Sequence, residues 1–238
     1  MSVDLVGKCA VVTGASKGIG YAVAASLADV GANVVICSRH SEEIERAALE
    51  LDAGSGRVIG VVCDMRLYED VQRLIGTAIT RFERVDVLVN NAGVGGFAPM
   101  GELEPDLWHR VLETNLNGVY YACHEAIPHM VRQGGGWIIN IGSLAGKNPF
   151  AEGAAYNASK FGLVGFSEAM MLDVRHQGIR VSCLMPGSVE THFSRSKEAA
   201  DWKLQPEDIA EMVMDLLAFH SRALPSRVEM RPSQPPRK

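Results

Sequence analysis

Residues 8–20 read K-C-A-V-V-T-G-A-S-K-G-I-G, and three kinds of local structure follow one another in that stretch. Cys9 to Val12 is a short apolar run of the kind that makes a buried strand. Thr13 to Gly20 is a glycine-rich turn, and Tyr21 to Val30 has helical composition. A strand that feeds a helix through such a turn aims backbone N–H groups and a helix N-terminus at one point, which makes a site for a phosphate. The spacing is Gly14-x3-Gly18-x-Gly20, not the commoner G-x-G-x-x-G of dinucleotide-binding turns.

The rest of the chain repeats the first unit. Strand-like apolar runs recur at 9–13, 33–37, 58–62, 86–89, 137–141 and 179–184, with helical stretches near 18–30, 41–53, 67–82, 104–132 and 154–177. A last helix over 206–219 and a short strand over 227–230 close the pattern. Strands alternating with helices at this spacing predict an α/β fold: a doubly wound, Rossmann-like parallel sheet with right-handed crossovers and helices on both faces. The nearly continuous Val/Ile/Cys strands fit burial on both sides. The 238 residues fit a single domain over 1–230. The tail 231–238, R-P-S-Q-P-P-R-K, reads as disordered.

Composition narrows the function. A net charge of −5 and a pI near 5.8 give no electrostatic case for nucleic acid or a membrane surface. No apolar run approaches the ~20 residues of a membrane span, and the N-terminus lacks the pattern of a signal peptide. Cys9, Cys37, Cys63, Cys123 and Cys183 form no C-x-x-C, so they read as small buried hydrophobes in a reducing, cytoplasmic setting. His124-Glu125 with His129 misses zinc-protease spacing by one residue, and Pro128 interrupts it; no metal site is expected.

In such a sheet, ligands collect at the carboxyl ends of the strands. Strand two ends at Ser38-Arg39, where the ribose-binding acid expected for NAD is replaced by an arginine. An arginine can pair with a 2′-phosphate, and Lys17 in the glycine turn adds a second positive charge, so the cofactor expected is NADP(H). Strand three ends at Asp64-Met65, strand four at Asn90-Asn91-Ala92-Gly93, strand five at Gly142-Ser143, and strand six at Pro186-Gly187 with Val189 and Thr191 beyond. Ser143 is placed either to donate to a substrate carbonyl or to cap a turn. Tyr156 and Lys160, four residues apart, fall on one helix face. A fixed ammonium favours the phenolate, so the pair reads as a tuned general acid/base.

Taken together, Thr13 to Gly20, Asn90 to Gly93, Asn115 in T-N-L-N-G, Ser143, Tyr156-x3-Lys160 and Pro186-Gly187 with Thr191 resemble the short-chain dehydrogenase/reductase family over residues 5–220. The resemblance implies a catalytic set of Asn115, Ser143, Tyr156 and Lys160, with Asn115 holding a relay water. It implies cofactor contacts from Gly14, Ser16, Lys17, Gly18, Ile19, Gly20, Ser38, Arg39, Asp64, Met65, Asn91, Ala92, Gly93, Tyr156, Lys160, Pro186, Gly187, Val189 and Thr191. Asp64-Met65 would flank adenine, and Thr191 would bind the nicotinamide carboxamide. The expected reaction is hydride transfer between NADPH and a small-molecule carbonyl or alcohol. A 3-oxoacyl-acyl-carrier-protein reductase is the alternative. It is disfavoured by the missing terminal glycine pair and by Leu172 where those enzymes tend to carry an arginine. A non-catalytic NADP-binding regulator and an extended-branch nucleotide-sugar epimerase or dehydratase are the rivals of other classes. Surplus apolar residues in the helices near 104–132 and 154–177, including Val119, Tyr120, Tyr121, Ala122, Phe161, Leu163, Phe166, Met170 and Met171, together with the resemblance predict a homotetramer, with a homodimer next.

Overall fold

The computed structural model describes residues 3–191 and 201–236. Seven strands form one sheet: β1 (Cys9–Thr13), β2 (Asn33–Ser38), β3 (Val58–Val62), β4 (Val87–Asn90), β5 (Gly136–Ile141), β6 (Ile179–Pro186) and β7 (Arg227–Met230). Their order is β3-β2-β1-β4-β5-β6-β7, and every neighbouring pair is parallel. The chain winds outward from β1 to β3, then returns to lay β4 on the other side of β1. The direction of winding therefore reverses between β1 and β4, and the loops leaving those strands diverge to open a crevice.

Successive side chains of a strand point to opposite faces, and both faces are covered. Ala10 and Val12 of β1 join a core with Leu27 of α1 (Gly18–Asp29), Ile44 of α2 (Ser41–Asp52) and Val213 of α7 (Pro206–Ala218). Cys9 and Val11 join the opposite core with Leu74 of α3 (Tyr68–Phe82), Met130 of α5 (Gly118–Arg132) and Leu163 of α6 (Ala154–Val174).

The single helix expected near 104–132 is in fact three segments. The helix α4 (Pro105–Leu112) runs into one π turn, Glu113–Asn117, before α5 begins. The cause lies in two contacts. Asn115 accepts from the Val94 N–H at 2.8 Å and donates back to the Val94 carbonyl at 3.0 Å, which draws its side chain inward toward the β4–α4 loop. Gly118 lies so close to β3's exit that a Cβ would fall 2.6 Å from the Met65 carbonyl oxygen. A π turn at a functional residue is a recognised way to aim one side chain out of a regular helix. The helix expected over 154–177 ends at Val174 and finishes in a 3₁₀ turn.

The apolar surplus on α5 and α6 falls on part of the expected set, Tyr120 and Phe161, with Val131 and Leu172 added. Met170 is buried, and Phe166 packs against the core, whereas Tyr120, Val131, Phe161 and Leu172 stand exposed.

Candidate active site

The glycine turn is fastened to the β4 exit by hydrogen bonds. The Thr13 hydroxyl accepts from the N–H groups of Asn91 and Ala92, both at 3.0 Å. The Asn91 amide donates to the carbonyls of Thr13 and Gly14, both at 2.9 Å. Gly14 has φ +65°, and a Cβ there would fall 2.7 Å from the Cα of Ala92. Glycine is thus required twice, by the conformation and by the approach of the neighbouring backbone. The helix α1 starts at Gly18 with no side-chain cap, so its first-turn N–H groups face the crevice without an internal acceptor from the cap residue. Thr191 approaches from β6, its Cγ2 3.7 Å from where a Gly18 Cβ would be.

At the β2 end, Arg39 is exposed along the crevice. Lys17 pairs with Glu43 of α2 at 3.3 Å, and the Ser16 hydroxyl donates to the same carboxylate at 3.2 Å. The lysine holds that carboxyl below its ordinary range. The Ser38 hydroxyl is engaged locally with the His40 backbone. Both Asp64 oxygens accept from the Arg66 fork, at 2.6–3.0 Å, which lowers the Asp64 carboxyl.

The other end holds the reactive groups. Ser143 follows β5 and takes the turn-capping role expected of it. Its hydroxyl accepts from the Ala145 N–H at 3.1 Å as a turn cap, and it is hydrogen-bonded to Tyr156. Lys160 is buried, donates to the Ile141 carbonyl at 2.9 Å, and places its ammonium 5.8 Å from the centre of the Tyr156 ring. Asn115 is buried as well. It donates to the Ser159 hydroxyl at 3.0 Å, which itself donates to the Tyr156 carbonyl at 2.8 Å. A second buried chain runs from Asn90 through Asn140 to Ser167, each step 2.8 Å, and ties β4 and β5 to α6.

The electrostatics differ from the simple expectation for a Tyr–Lys pair. Burial pushes the Tyr156 phenol up, and the Ser143 hydrogen bond pulls it down by less. Burial also lowers Lys160, from 10.5 to about 8. The ammonium is itself desolvated, so it cannot depress the phenol without limit. At neutral pH the pair is a protonated tyrosine beside a charged lysine.

These groups share one cleft of about 1350 Å³. Of the expected cofactor residues, all but Gly20 line it. Gly20 is buried beneath the turn, against Asn91 and the Gly14 carbonyl. Asn115 lies behind the wall as a brace. The cleft also takes Glu43, Thr114, Leu144, Asn148, Phe150, Trp202 and Lys203. The Thr114 hydroxyl is buried, lines the cleft and has no protein partner. With the uncapped helix end and the bare Gly14 turn, that orphaned hydroxyl fits a polar, phosphate-bearing occupant.

A family model described as short chain dehydrogenase matches residues 8–202. The rabbit (Oryctolagus cuniculus) dehydrogenase/reductase SDR family member 4 is 37% identical over 210 residues, covering 87% of this chain and 79% of its own length. The chain belongs to the short-chain dehydrogenase/reductase family. Two solved members of that family superpose over 98% of this chain. A metagenomic short-chain oxidoreductase in complex with NADP is 37% identical with a TM-score of 0.86, over 100% of its own length. The actinorhodin polyketide ketoreductase with NADPH is 32% identical with a TM-score of 0.87, over 98% of its own length.

For this short-chain dehydrogenase, sequence reasoning missed Glu43 of α2 and the residues that come from loops without a motif. Glu43 could have been suspected from its place one turn into α2, across from Lys17. Phe150 and Trp202 gave no signal. Arg231, Pro232, Pro235 and Pro236, in the segment expected as a disordered tail, also line the cleft, with Met230 accepting from the Gly187 N–H at 2.8 Å. Residues 237–238 of that segment lie outside the described residues. Among the described residues no helix is long and apolar enough to cross a membrane.

Proposed function

We propose that this enzyme interconverts a carbonyl and an alcohol using NADP(H), with Tyr156 as the general acid/base. One observation carries the reading: the Ser143–Tyr156 pair and the buried Lys160 stand at the end of β5, in the same cleft as the glycine turn. When bound, NADPH supplies the hydride. The residues named would hold it by the Gly14–Gly20 turn at the diphosphate, Asp64-Met65 at adenine, and Thr191 and Lys160 at the nicotinamide riboside.

The protein's part is protonic and electrostatic. Ser143 donates to the carbonyl oxygen and fixes it beside the Tyr156 hydroxyl. As the carbon is reduced, the electron pair of the C=O π bond takes the Tyr156 proton. The phenolate left behind faces the Lys160 ammonium and is reprotonated from solvent. Burial keeps the phenol protonated at neutral pH, so the proton is in place, and its transfer relies on Ser143 and Lys160 to stabilise the phenolate that forms. The side chain of Asn115 is committed to Val94 and Ser159, so a relay water would rest on its backbone carbonyl.

Arg39 and Lys17 favour NADP over NAD, as does the NADP or NADPH in both solved relatives. The exposed apolar residues of α5 and α6 favour pairing of copies through these helices, to a homotetramer. Five buried free cysteines suit a cytoplasmic setting. The deciding experiment is NADPH consumption over a carbonyl panel, with Tyr156→Phe alongside. General acid catalysis is typically worth ~10²–10⁴-fold. A Tyr156→Phe enzyme that binds NADPH and turns over like wild type would remove Tyr156 from the mechanism.

A further inference from the structure

An aromatic surface stands next to the reacting tyrosine. The Tyr156 ring centre is 5.6 Å from that of Phe97 and 6.5 Å from that of Phe150, and the two phenylalanines are 5.8 Å apart. Their planes are inclined by 44–59°, within the geometry that aromatic pairs favour. Phe97 comes from the β4–α4 loop and Phe150 from the β5–α6 loop. The two loops are clasped by a backbone hydrogen bond from the Ala98 N–H to the Glu152 carbonyl at 2.9 Å. Glu152 has φ +63°, an uncommon conformation for a non-glycine residue. That kink is tolerated where it closes the clasp.

Phe150 itself is fixed from two further directions. Its N–H donates to the Asn157 side chain at 3.3 Å, and Asn157 donates to the Ala145 carbonyl at 2.7 Å. Its ring lies on Gly153, where a Cβ would come within 2.6 Å of the ring edge. Even so, Phe150 is 47% exposed, and it lines the cleft together with Leu144 and Trp202. A large apolar ring held this firmly and left half uncovered is a preformed face for an apolar partner. Among the described residues, Lys147 and Arg231 pair with Glu229, and Lys203 pairs with Glu190. The surface offered by Phe150 is therefore apolar rather than charged.

We propose that the substrate carries a flat aromatic group next to its carbonyl, an aryl ketone or aryl aldehyde, and that this group packs on Phe150 beside Tyr156. The assignment deepens the reductase reading above and rests on it. The test compares kcat/KM for phenyl methyl ketone and cyclohexyl methyl ketone, which match in size and differ in flatness and π character. Comparing wild type with Phe150→Ala and Phe150→Leu cancels the intrinsic reactivity of the two ketones. The phenyl-to-cyclohexyl ratio should fall by up to about 10-fold in Phe150→Ala, and partly in Phe150→Leu, as a lost aromatic pair predicts. The ratio is independent of the amount of folded enzyme, and Phe150→Leu preserves bulk if the alanine variant fails to fold. An unchanged ratio in both variants overturns the assignment. Turnover of butanone but of neither test ketone also overturns it and leaves the reductase reading intact. NADPH binding with no carbonyl reduced at all removes the reductase reading, and the aryl assignment with it.

Discussion

Replacing Lys160 by methionine should make the protein inactive and, at neutral pH, relieve a stability cost. The ammonium is buried, and burial lowers its pKa from 10.5 to about 8. The folded-state value lies below the unfolded one, so the unfolded chain binds more protons between about pH 8 and 10.5. Stability from this group therefore rises with pH across that window and is lowest below it. At about 1.4 kcal/mol per pH unit, the buried charge costs about 3 kcal/mol at pH 7. At pH 10 the folded lysine is neutral while most unfolded chains still carry the charge, and the cost falls to about 1 kcal/mol. Methionine fills similar volume without charge. It also leaves the Ile141 carbonyl without its donor, a loss of about 1–3 kcal/mol that does not depend on pH. The sign of the net change at one pH is thus a balance, but its slope is not. Relative to wild type, the variant should lose about 2 kcal/mol between pH 7 and pH 10. Urea unfolding of both proteins at the two pH values, at one protein concentration, measures this double difference. Groups common to both proteins cancel. A wild type–variant difference that is the same at pH 7 and pH 10 would refute the reasoning and mean that the lysine is not appreciably desolvated.

The other tests address the remaining parts of the molecule. Arg39→Asp should shift preference from NADPH toward NADH, because a carboxylate repels the 2′-phosphate and offers the ribose an acceptor; equal wild-type use of both cofactors in kcat/KM would count against the roles given to Lys17 and Arg39. Gly14→Ala should abolish cofactor binding in a fluorescence titration, since the added methyl meets the Ala92 backbone at 2.7 Å in a left-handed turn; near wild-type affinity would show that the two loops separate easily. Phe161→Glu should disperse the proposed assembly, because Phe161 is exposed on α6; light scattering of the wild type showing only a 25.7 kDa species would end the tetramer proposal before the variant is made.

What was legible in the sequence was whatever is set by local pattern. The alternation of apolar strands with helices gave the parallel sheet, since a strand buried on both faces must be apolar nearly throughout. Tyr156-x3-Lys160 could be read because helical geometry puts those residues on one face whatever surrounds them. The π turn at Asn115 was not legible. It comes from hydrogen bonds to Val94, 21 residues away, and no local propensity encodes such a contact. Phe166 and Met170 looked as available as Phe161 because helical periodicity marks an apolar face without saying what lies against it. The phenol's pKa failed for a similar reason. Counting charges in the sequence gives the ammonium's attraction, but the burial that opposes it belongs to the packed loops. The aromatic surface at Phe150 is the extreme case, being assembled from two loops through the Ala98–Glu152 hydrogen bond. On the proposed reading, the chemistry of this site would be carried by short motifs on regular elements, and its selectivity would reside in loops whose meeting is decided by the whole fold. Substitutions in the two classes should therefore separate in kinetics. Changes at Tyr156 or Lys160 should lower kcat for every substrate, and changes at Phe97 or Phe150 should reorder substrates.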